Sequence, residues 1–186
     1  MGLKDLDSKI NGLNKSDLLL IAARPAMGKS AFALNIGANV AHTYKKTVAI
    51  FNLEMSREQL AMRLLANKSY VELQKLATGK LSDEEWTKLC MASDELSRMD
   101  IRIDDNPTVT VADINAKCRR LDNLGLIIID YLQLIEASDK TPWGNQEYAR
   151  VTAVSRALKQ FGRQGGPTII ALSQLGRPEP NKKTGK

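Results

Sequence analysis

The chain has 186 residues, 43% hydrophobic and 26% charged, with a formal net charge of +6, which predicts one domain with a proper core. We expect a cytoplasmic protein that does not contact a membrane, since no apolar run approaches roughly 20 residues and no signal-peptide pattern follows Met1. Cys90 and Cys118 lie in apolar helical patterns typical of reduced core cysteines, and the positive charge permits a polyanionic partner such as nucleic acid.

The chain divides into three parts. Residues 1–15 carry Leu3, Leu6 and Ile10 at helical spacing, and we interpret them as a lead-in segment that packs against the domain. Residues 16–175 alternate between apolar strands and helices, as α/β proteins do. Residues 176–186 are rich in Pro, Lys and Gly, and we expect a mobile basic tail.

The first strand and helix of the core enclose a candidate phosphate-binding loop. Residues 18–22 are apolar without alternation, which is typical of a strand covered on both faces. The loop that follows consists of Ala23, Arg24, Pro25, Ala26, Met27 and Gly28, and a helix predicted to reach Tyr44 then opens with Lys29, Ser30 and Ala31. This order of strand, loop and helix is the context that a P-loop requires.

The residue types explain how such a loop would bind phosphate. Backbone N–H groups and the dipole at a helix N-terminus favour an anion. Gly28 would let the backbone approach the phosphates, Lys29 would place its ammonium between the β- and γ-phosphates, and the Ser30 hydroxyl would ligate Mg²⁺. Ala23 stands where the G-x-x-x-x-G-K-[ST] motif has its first glycine, so an ordinary loop entering a helix is the alternative.

Two further strand ends carry carboxylates. The predicted strand of residues 48–51 leads to Glu54, beyond the carboxyl end of a strand, where open α/β sheets bind ligands. Glu54 is therefore either a general base for a water molecule or an acid at a helix entry, since residues 56–59 have the form of a capping box. Residues 126–129 are apolar and precede Asp130, the form of a Walker B strand whose carboxylate would hold Mg²⁺ opposite Ser30.

The segment between these strands is predicted to be structural. Residues 57–67, 70–77 and 83–99 are expected to form three helices, followed by a strand over 101–104 and a helix over 111–123. The helix over 83–99 is expected to bury one face, made of Trp86, Leu89, Cys90, Ser93, Leu96 and Met99. Asp104 and Asp105 suggest a metal site, although acids at a strand exit before a turn are commoner.

The carboxyl-terminal third ends in a fifth strand. A helix over 147–163 precedes this strand, which spans residues 168–172 and leads to Gln174. The Gln174 amide could hydrogen-bond a γ-phosphate and transmit its hydrolysis to the loop that follows. Trp143 lies in a polar loop of residues 136–146 and could stack on a base, although a loop tryptophan folded back onto the surface is commoner.

Five runs of residues resemble the family of bacterial replicative DNA helicases of the DnaB type. They are residues 22–30 (AARPAMGKS), 51–55 (FNLEM), 117–121 (KCRRL), 129–134 (IDYLQL) and 171–175 (ALSQL). That family's loop also lacks the first glycine and carries Arg-Pro-x-Met-Gly-Lys. The runs occur in family order, and the resemblance extends over nearly the whole chain, so together the runs are highly specific.

The resemblance implies a RecA-like P-loop NTPase fold, which is a twisted and mainly parallel sheet flanked by helices. It also implies a set of roles for the predicted site. Residues 23–31 would bind ATP, and Ser30 and Asp130 would bind Mg²⁺. Glu54 would polarise the attacking water, beside the catalytic Lys29, and Gln174 would sense the γ-phosphate.

The resemblance further implies an ATP-dependent replicative helicase motor that translocates on single-stranded DNA as a homohexameric ring and unwinds duplex. The loops after Asp130 and after Gln174 would line the central channel and contact the DNA backbone. Primase and a helicase loader would be partners of the full-length protein. Family members continue past the fifth strand to an arginine finger, so we expect this chain to bind Mg-ATP but to hydrolyse it slowly, because a missing finger costs about 10³ to 10⁵ in rate in GTPases.

Two alternatives come from other functional classes. A RecA-like ATPase of non-helicase function, of the recombinase or regulator type, would share the nucleotide-binding residues but not the run of residues 24–27. A docking module for a helicase loader would bind its partner with no nucleotide affinity worth measuring.

Overall fold

Five parallel strands form one sheet in the part of the chain that the structure describes. The structure is a computed structural model and describes residues 1–135, 147–163 and 166–175. The predictions for Trp143, for the loop of residues 136–146 and for the tail of residues 176–186 lie outside these ranges. Among the described helices, none combines the length and the apolar character that crossing a bilayer requires.

All five strands occur where the sequence predicts them. They are β1 (Leu18–Ala23), β2 (Thr47–Asn52), β3 (Ile101–Asp104), β4 (Leu124–Asp130) and β5 (Thr168–Gln174). Their order is β1-β5-β4-β2-β3, and every neighbouring pair is parallel. The predicted parallel α/β sheet is therefore confirmed, and all five carboxyl ends lie at the same edge.

Helices cover both faces of the sheet. They are α1 (Lys4–Ile10), α2 (Lys29–Tyr44), α3 (Arg57–Ser69), α4 (Leu73–Thr78), α5 (Asp83–Ser97), α6 (Val111–Cys118) and α7 (Glu147–Arg163), and a 3₁₀ turn, Leu132–Leu134, follows β4. The predicted capping box at Ser56 is present and starts α3. Helix α6 ends five residues before the predicted position 123, because the N–H groups of Arg120 and Leu121 bond to carbonyls three residues back instead of four. Asn123 then adopts a left-handed conformation (φ 54°) directly before β4.

The two faces of the sheet bury separate cores, because successive strand residues point to opposite sides. Val48 and Ile50 of β2 pack with Leu60 of α3 on one face. Ala49 and Phe51 of the same strand pack on the other face, in the core that α6 and α7 cover. The inner strands β2, β4 and β5 are mostly buried and make the carboxyl edge a platform for a site. The predicted covering of residues 18–22 on both faces is wrong, because β1 lies at the edge of the sheet and Leu20 is 54% exposed.

The buried face of α5 differs from the predicted one. Trp86 is 48% exposed, and Cys90 and Ser93 are also exposed, whereas Ala92 is buried. The predicted burial of these three side chains is wrong because α5 packs mainly on α3, so only a narrow line of its residues is covered. Cys118 is a core cysteine as predicted, and burial raises the pKa of its thiol to about 12.

The acidic pair at the end of β3 is used for structure. Asp104 forms an ion pair with Lys117. Asp105 accepts hydrogen bonds from the Arg57 backbone N–H and from its Nη2, both at 3.0 Å. The acids therefore tie β3 to α6 and to the start of α3, as expected of acids at a strand exit.

The Asp105 contact predicts a pH dependence of stability. The Arg57 backbone N–H, and then its guanidinium, hold the pKa of Asp105 below its usual 3.8. Because the pKa of Asp105 is lower in the folded state, its ionised carboxylate stabilises the fold fully above pH 3.8. This stabilisation is lost as pH falls through the folded-state pKa. In urea unfolding, Asp105→Asn should therefore be less stable than wild type at pH 7, and the difference should shrink below pH 3.8.

The control is Asp94→Asn, which removes an exposed pairing with Arg98 on α5 and should have little effect. A stability difference for Asp105→Asn that stays constant from pH 7 to pH 3 would contradict the prediction.

Candidate nucleotide-binding site

One cavity of about 200 Å³ opens at the carboxyl edge of the sheet. The loop between β1 and α2 forms most of its wall, and Glu54, Met55, Arg63 and Gln174 complete it. The predicted site residues therefore meet in space: residues 23–31, Glu54 and Gln174 line this cavity, and Asp130 contacts Ser30 and Lys29 beside it.

The start of α2 forms part of the cavity wall. Gly28 precedes α2 with φ 80°, a conformation that glycine adopts without strain. An added Cβ at this position would meet no described atom within 4 Å, so the space beside Gly28 is open. Among the described residues, no side chain caps the start of α2, and its first N–H groups are available to an anion.

Asp130 lies at the end of β4 and is only 2% exposed. The Ser30 hydroxyl donates to its Oδ2. Its Oδ1 lies 3.2 Å from Lys29 Nζ, yet it accepts no well-directed hydrogen bond from any described residue. The Lys29 ammonium also lies 4.7 Å from the centroid of the Tyr131 ring, within the range of a cation–π contact.

Ser30 and Asp130 fit a magnesium ion. A hydroxyl oxygen and a carboxylate are the hard oxygen ligands that Mg²⁺ prefers, usually with several waters retained. The buried Oδ1 of Asp130 has unused acceptor capacity, which a buried carboxylate oxygen rarely keeps without a reason. This buried oxygen, which pairs with Lys29 but accepts no hydrogen bond from a described residue, is the observation that supports a cation beside Ser30.

Asn52 holds the backbone that presents Glu54, and sequence reasoning missed it. The Asn52 side chain is buried, and its Oδ1 accepts from the backbone N–H groups of Glu54 (3.0 Å) and Met55 (2.7 Å). The neighbouring Leu53 N–H donates to the Asp130 carbonyl at 2.8 Å. Glu54 is thus exposed toward the cavity on a fixed turn. A polar residue ending an apolar strand was the available signal.

Arg63 is the second residue that sequence reasoning missed. It lies on α3, lines the cavity and brings a positive charge to its wall. Leu60 and Leu64 of the same helix are buried. Arg63 is three residues after Leu60, so it interrupts the apolar face of α3, and this interruption was the signal that could have found it.

A parallel sheet with a phosphate loop after its first strand, and an aspartate at the end of the inner strand β4, which β5 separates from β1, defines a RecA-like P-loop NTPase fold. A family model for the DnaB-like helicase C terminal domain matches residues 1–186. The chain belongs to this family.

Comparison with individual proteins agrees with this assignment. The replicative DNA helicase DnaB of Geobacillus stearothermophilus is 49% identical over 179 residues, which are 95% of this chain and 39% of that protein. A solved structure of a DnaB-like replicative helicase, described with its interactions with primase, has a TM-score of 0.86 at 33% identity and covers 95% of this chain and 43% of that one. The RadB recombinase, with a TM-score of 0.57 at 20% identity, shares the fold alone.

Proposed function

We propose that the chain is part of a cytoplasmic, ATP-dependent replicative DNA helicase and forms its motor domain. The motor would translocate on single-stranded DNA as a homohexameric ring and couple ATP hydrolysis to duplex unwinding. The observation that carries the proposal is the meeting of residues 23–31, Glu54 and Gln174 around one cavity, with Asp130 against Ser30. The family match supplies the context for that site.

The nucleotide's phosphates would lie along the loop and the start of α2. Backbone N–H groups of the loop would donate to phosphate oxygens, and Lys29 would move its ammonium from Asp130 to the β- and γ-phosphates. Ser30 and Asp130 would hold Mg²⁺, which neutralises the charge that develops on the phosphate oxygens. Arg63, which lines the same cavity, would add positive charge.

Glu54 would orient and polarise the water that attacks the γ-phosphorus. The water oxygen bonds to phosphorus as the bond to the β–γ bridging oxygen breaks, and ADP and inorganic phosphate result. Glu54 would accept the water proton, and Asn52 would keep the carboxylate in place through the backbone. The Gln174 amide, at the same cavity, would donate to a γ-phosphate oxygen only while that group is present.

The proposed partners follow from the family. Single-stranded DNA would contact the segments after Asp130 and Gln174, and the net charge of +6 suits contacts with the phosphate backbone. Primase and a helicase loader are proposed as partners of the intact protein, and a related helicase has been described with its interactions with primase.

The test is strand displacement from a forked DNA duplex by the intact protein, with calorimetry of nucleotide binding to the present chain. We expect displacement that requires Mg-ATP, hexamers in mass photometry, and nucleotide binding that EDTA weakens. A recombinase-type or regulator-type ATPase would bind Mg-ATP without displacing a strand. A docking module would bind neither Mg-ATP nor Mg-ADP. Nucleotide binding without strand displacement would contradict the proposal, and so would the absence of nucleotide binding.

A further inference from the structure

The tip of β5 is held on one side by a side chain in place of a strand. Pairing between β4 and β5 ends at Ile129 and Ala171, three residues before Gln174. Beyond that point, Gln133 Nε2 donates to the Gln174 carbonyl oxygen at 3.0 Å, and Gln133 Oε1 accepts from the Gln174 backbone N–H at 3.4 Å. One side-chain amide thus contacts both polar groups of one peptide residue, as the next strand of a sheet would.

The same amide makes a third contact within the tip. Gln133 Nε2 also lies 2.9 Å from Ser173 Oγ, to which it donates. On the far side of β5, the Leu175 N–H donates to the Ala23 carbonyl at 3.0 Å. The strand end that carries Gln174 is therefore clamped between the phosphate loop and Gln133.

Gln133 is itself fixed in place. It belongs to the 3₁₀ turn that follows Asp130, and its neighbours Leu132 and Ile135 are both almost fully buried in the core. The Ile135 N–H donates to the Leu132 carbonyl at 3.2 Å and closes the turn. The amide is therefore presented by a rigid element that is continuous with the strand of Asp130.

We infer that Gln133 is a positioning residue that fixes the Gln174 backbone, so that the Gln174 side chain faces the terminal phosphate and the site distinguishes a nucleoside triphosphate from a diphosphate. The inference rests on the proposed function. Rotation of the Gln174 peptide would swing its side chain away from the cavity, and the two backbone contacts of Gln133 oppose that rotation. This role needs a side chain with one donor and one acceptor at the spacing of a peptide group. A glutamate carboxylate has two acceptors and no donor, so it cannot replace the glutamine.

Calorimetry tests this inference through the ratio of the Kd for Mg-ADP to the Kd for Mg-AMP-PNP. In wild type we expect the triphosphate analogue to bind more tightly. Gln133→Ala and the isosteric Gln133→Glu should each lower the ratio about tenfold or more, because the Gln174 contact that they displace is a hydrogen bond to a charged phosphate oxygen. The Kd for Mg-ADP should stay within about twofold, because the diphosphate lacks the group that Gln174 contacts.

A double-mutant cycle separates positioning from a general structural role. Gln174→Ala should lower the ratio by a similar factor, and adding Gln133→Ala to it should cause no further change. The matched control is Gln74→Ala, an exposed glutamine on α4, which should leave the ratio unchanged. The backbone amide hydrogen of Gln174 should also exchange with solvent faster in Gln133→Ala than in wild type.

An unchanged ratio in the Gln133 variants would overturn the inference, and so would additive losses in the double mutant. Equal weakening of both nucleotides, or unfolding of both Gln133 variants, would overturn it too, because Gln133 would then be a structural residue. Failure of the wild-type chain to bind either nucleotide would instead remove the proposed function, and the inference with it.

Discussion

Replacement of Lys29 by alanine is expected to weaken binding of Mg-ATP by at least about 100-fold. Hydrogen bonds to charged groups each contribute about 1.5–3 kcal/mol, and Lys29 would lose two of them, one to each of the β- and γ-phosphates. Its side chain is 10% exposed, so water would replace these contacts poorly. Calorimetric titration of the two proteins with Mg-ATP measures the change directly.

The control is Lys80→Ala, which removes an exposed lysine between α4 and α5 and should leave the Kd unchanged. Because Lys29 also pairs with the buried Asp130, unfolding curves of both variants must accompany the titration, so that loss of binding is separated from loss of folding. Binding of Mg-ATP by folded Lys29→Ala within threefold of wild type would remove Lys29 from the proposed site.

Replacement of Glu54 by glutamine is expected to lower the rate of ATP hydrolysis by about 10² to 10⁴, the usual contribution of a general base. The amide has the shape of the carboxylate but cannot accept the proton of the attacking water. Binding should stay within about twofold, since the contacts from Asn52 reach the backbone and survive the change. Single-turnover hydrolysis of labelled ATP, with protein in excess, measures the chemical step in isolation from product release.

The matched control is Glu58→Gln, an exposed acid in the first turn of α3, four residues from Glu54. It should change the single-turnover rate by less than about twofold, because surface substitutions away from a site rarely matter. If Glu54→Gln hydrolysed ATP within tenfold of wild type, Glu54 would be an acid at a helix entry, the alternative that the residues alone leave open.

The strands and the phosphate loop were predictable because their signals are local. An apolar run such as residues 126–129 needs both faces covered, and that requirement specifies a buried parallel strand whatever packs against it. The capping box at Ser56 likewise depends on four consecutive residues. Parallel strands put their carboxyl ends at one edge, so the meeting of Glu54, Asp130 and the phosphate loop followed from strand assignment alone.

The remaining features depend on which element packs on which. The exposure of Trp86 is set by the packing of α5 on α3, and helical spacing within α5 contains no information about that neighbour. The contacts of Gln133 with Gln174 join residues 41 positions apart and depend on where β4 stops relative to β5. Arg63 stands out in the sequence as an interruption of an apolar helix face, but its place beside the phosphate loop depends on how α3 packs.

The pairing of Lys29 with Asp130 has a consequence for how the ligand components enter. On the proposed function, these opposite charges neutralise each other before any nucleotide arrives, so free ATP and free magnesium each meet a site whose complementary charge is already engaged. The Mg-ATP complex would engage both residues at once, because its phosphates would bind the Lys29 ammonium while its magnesium ion binds the Asp130 carboxylate. On this proposal, binding of metal and of triphosphate would be cooperative, and the protein would select the complex over either component.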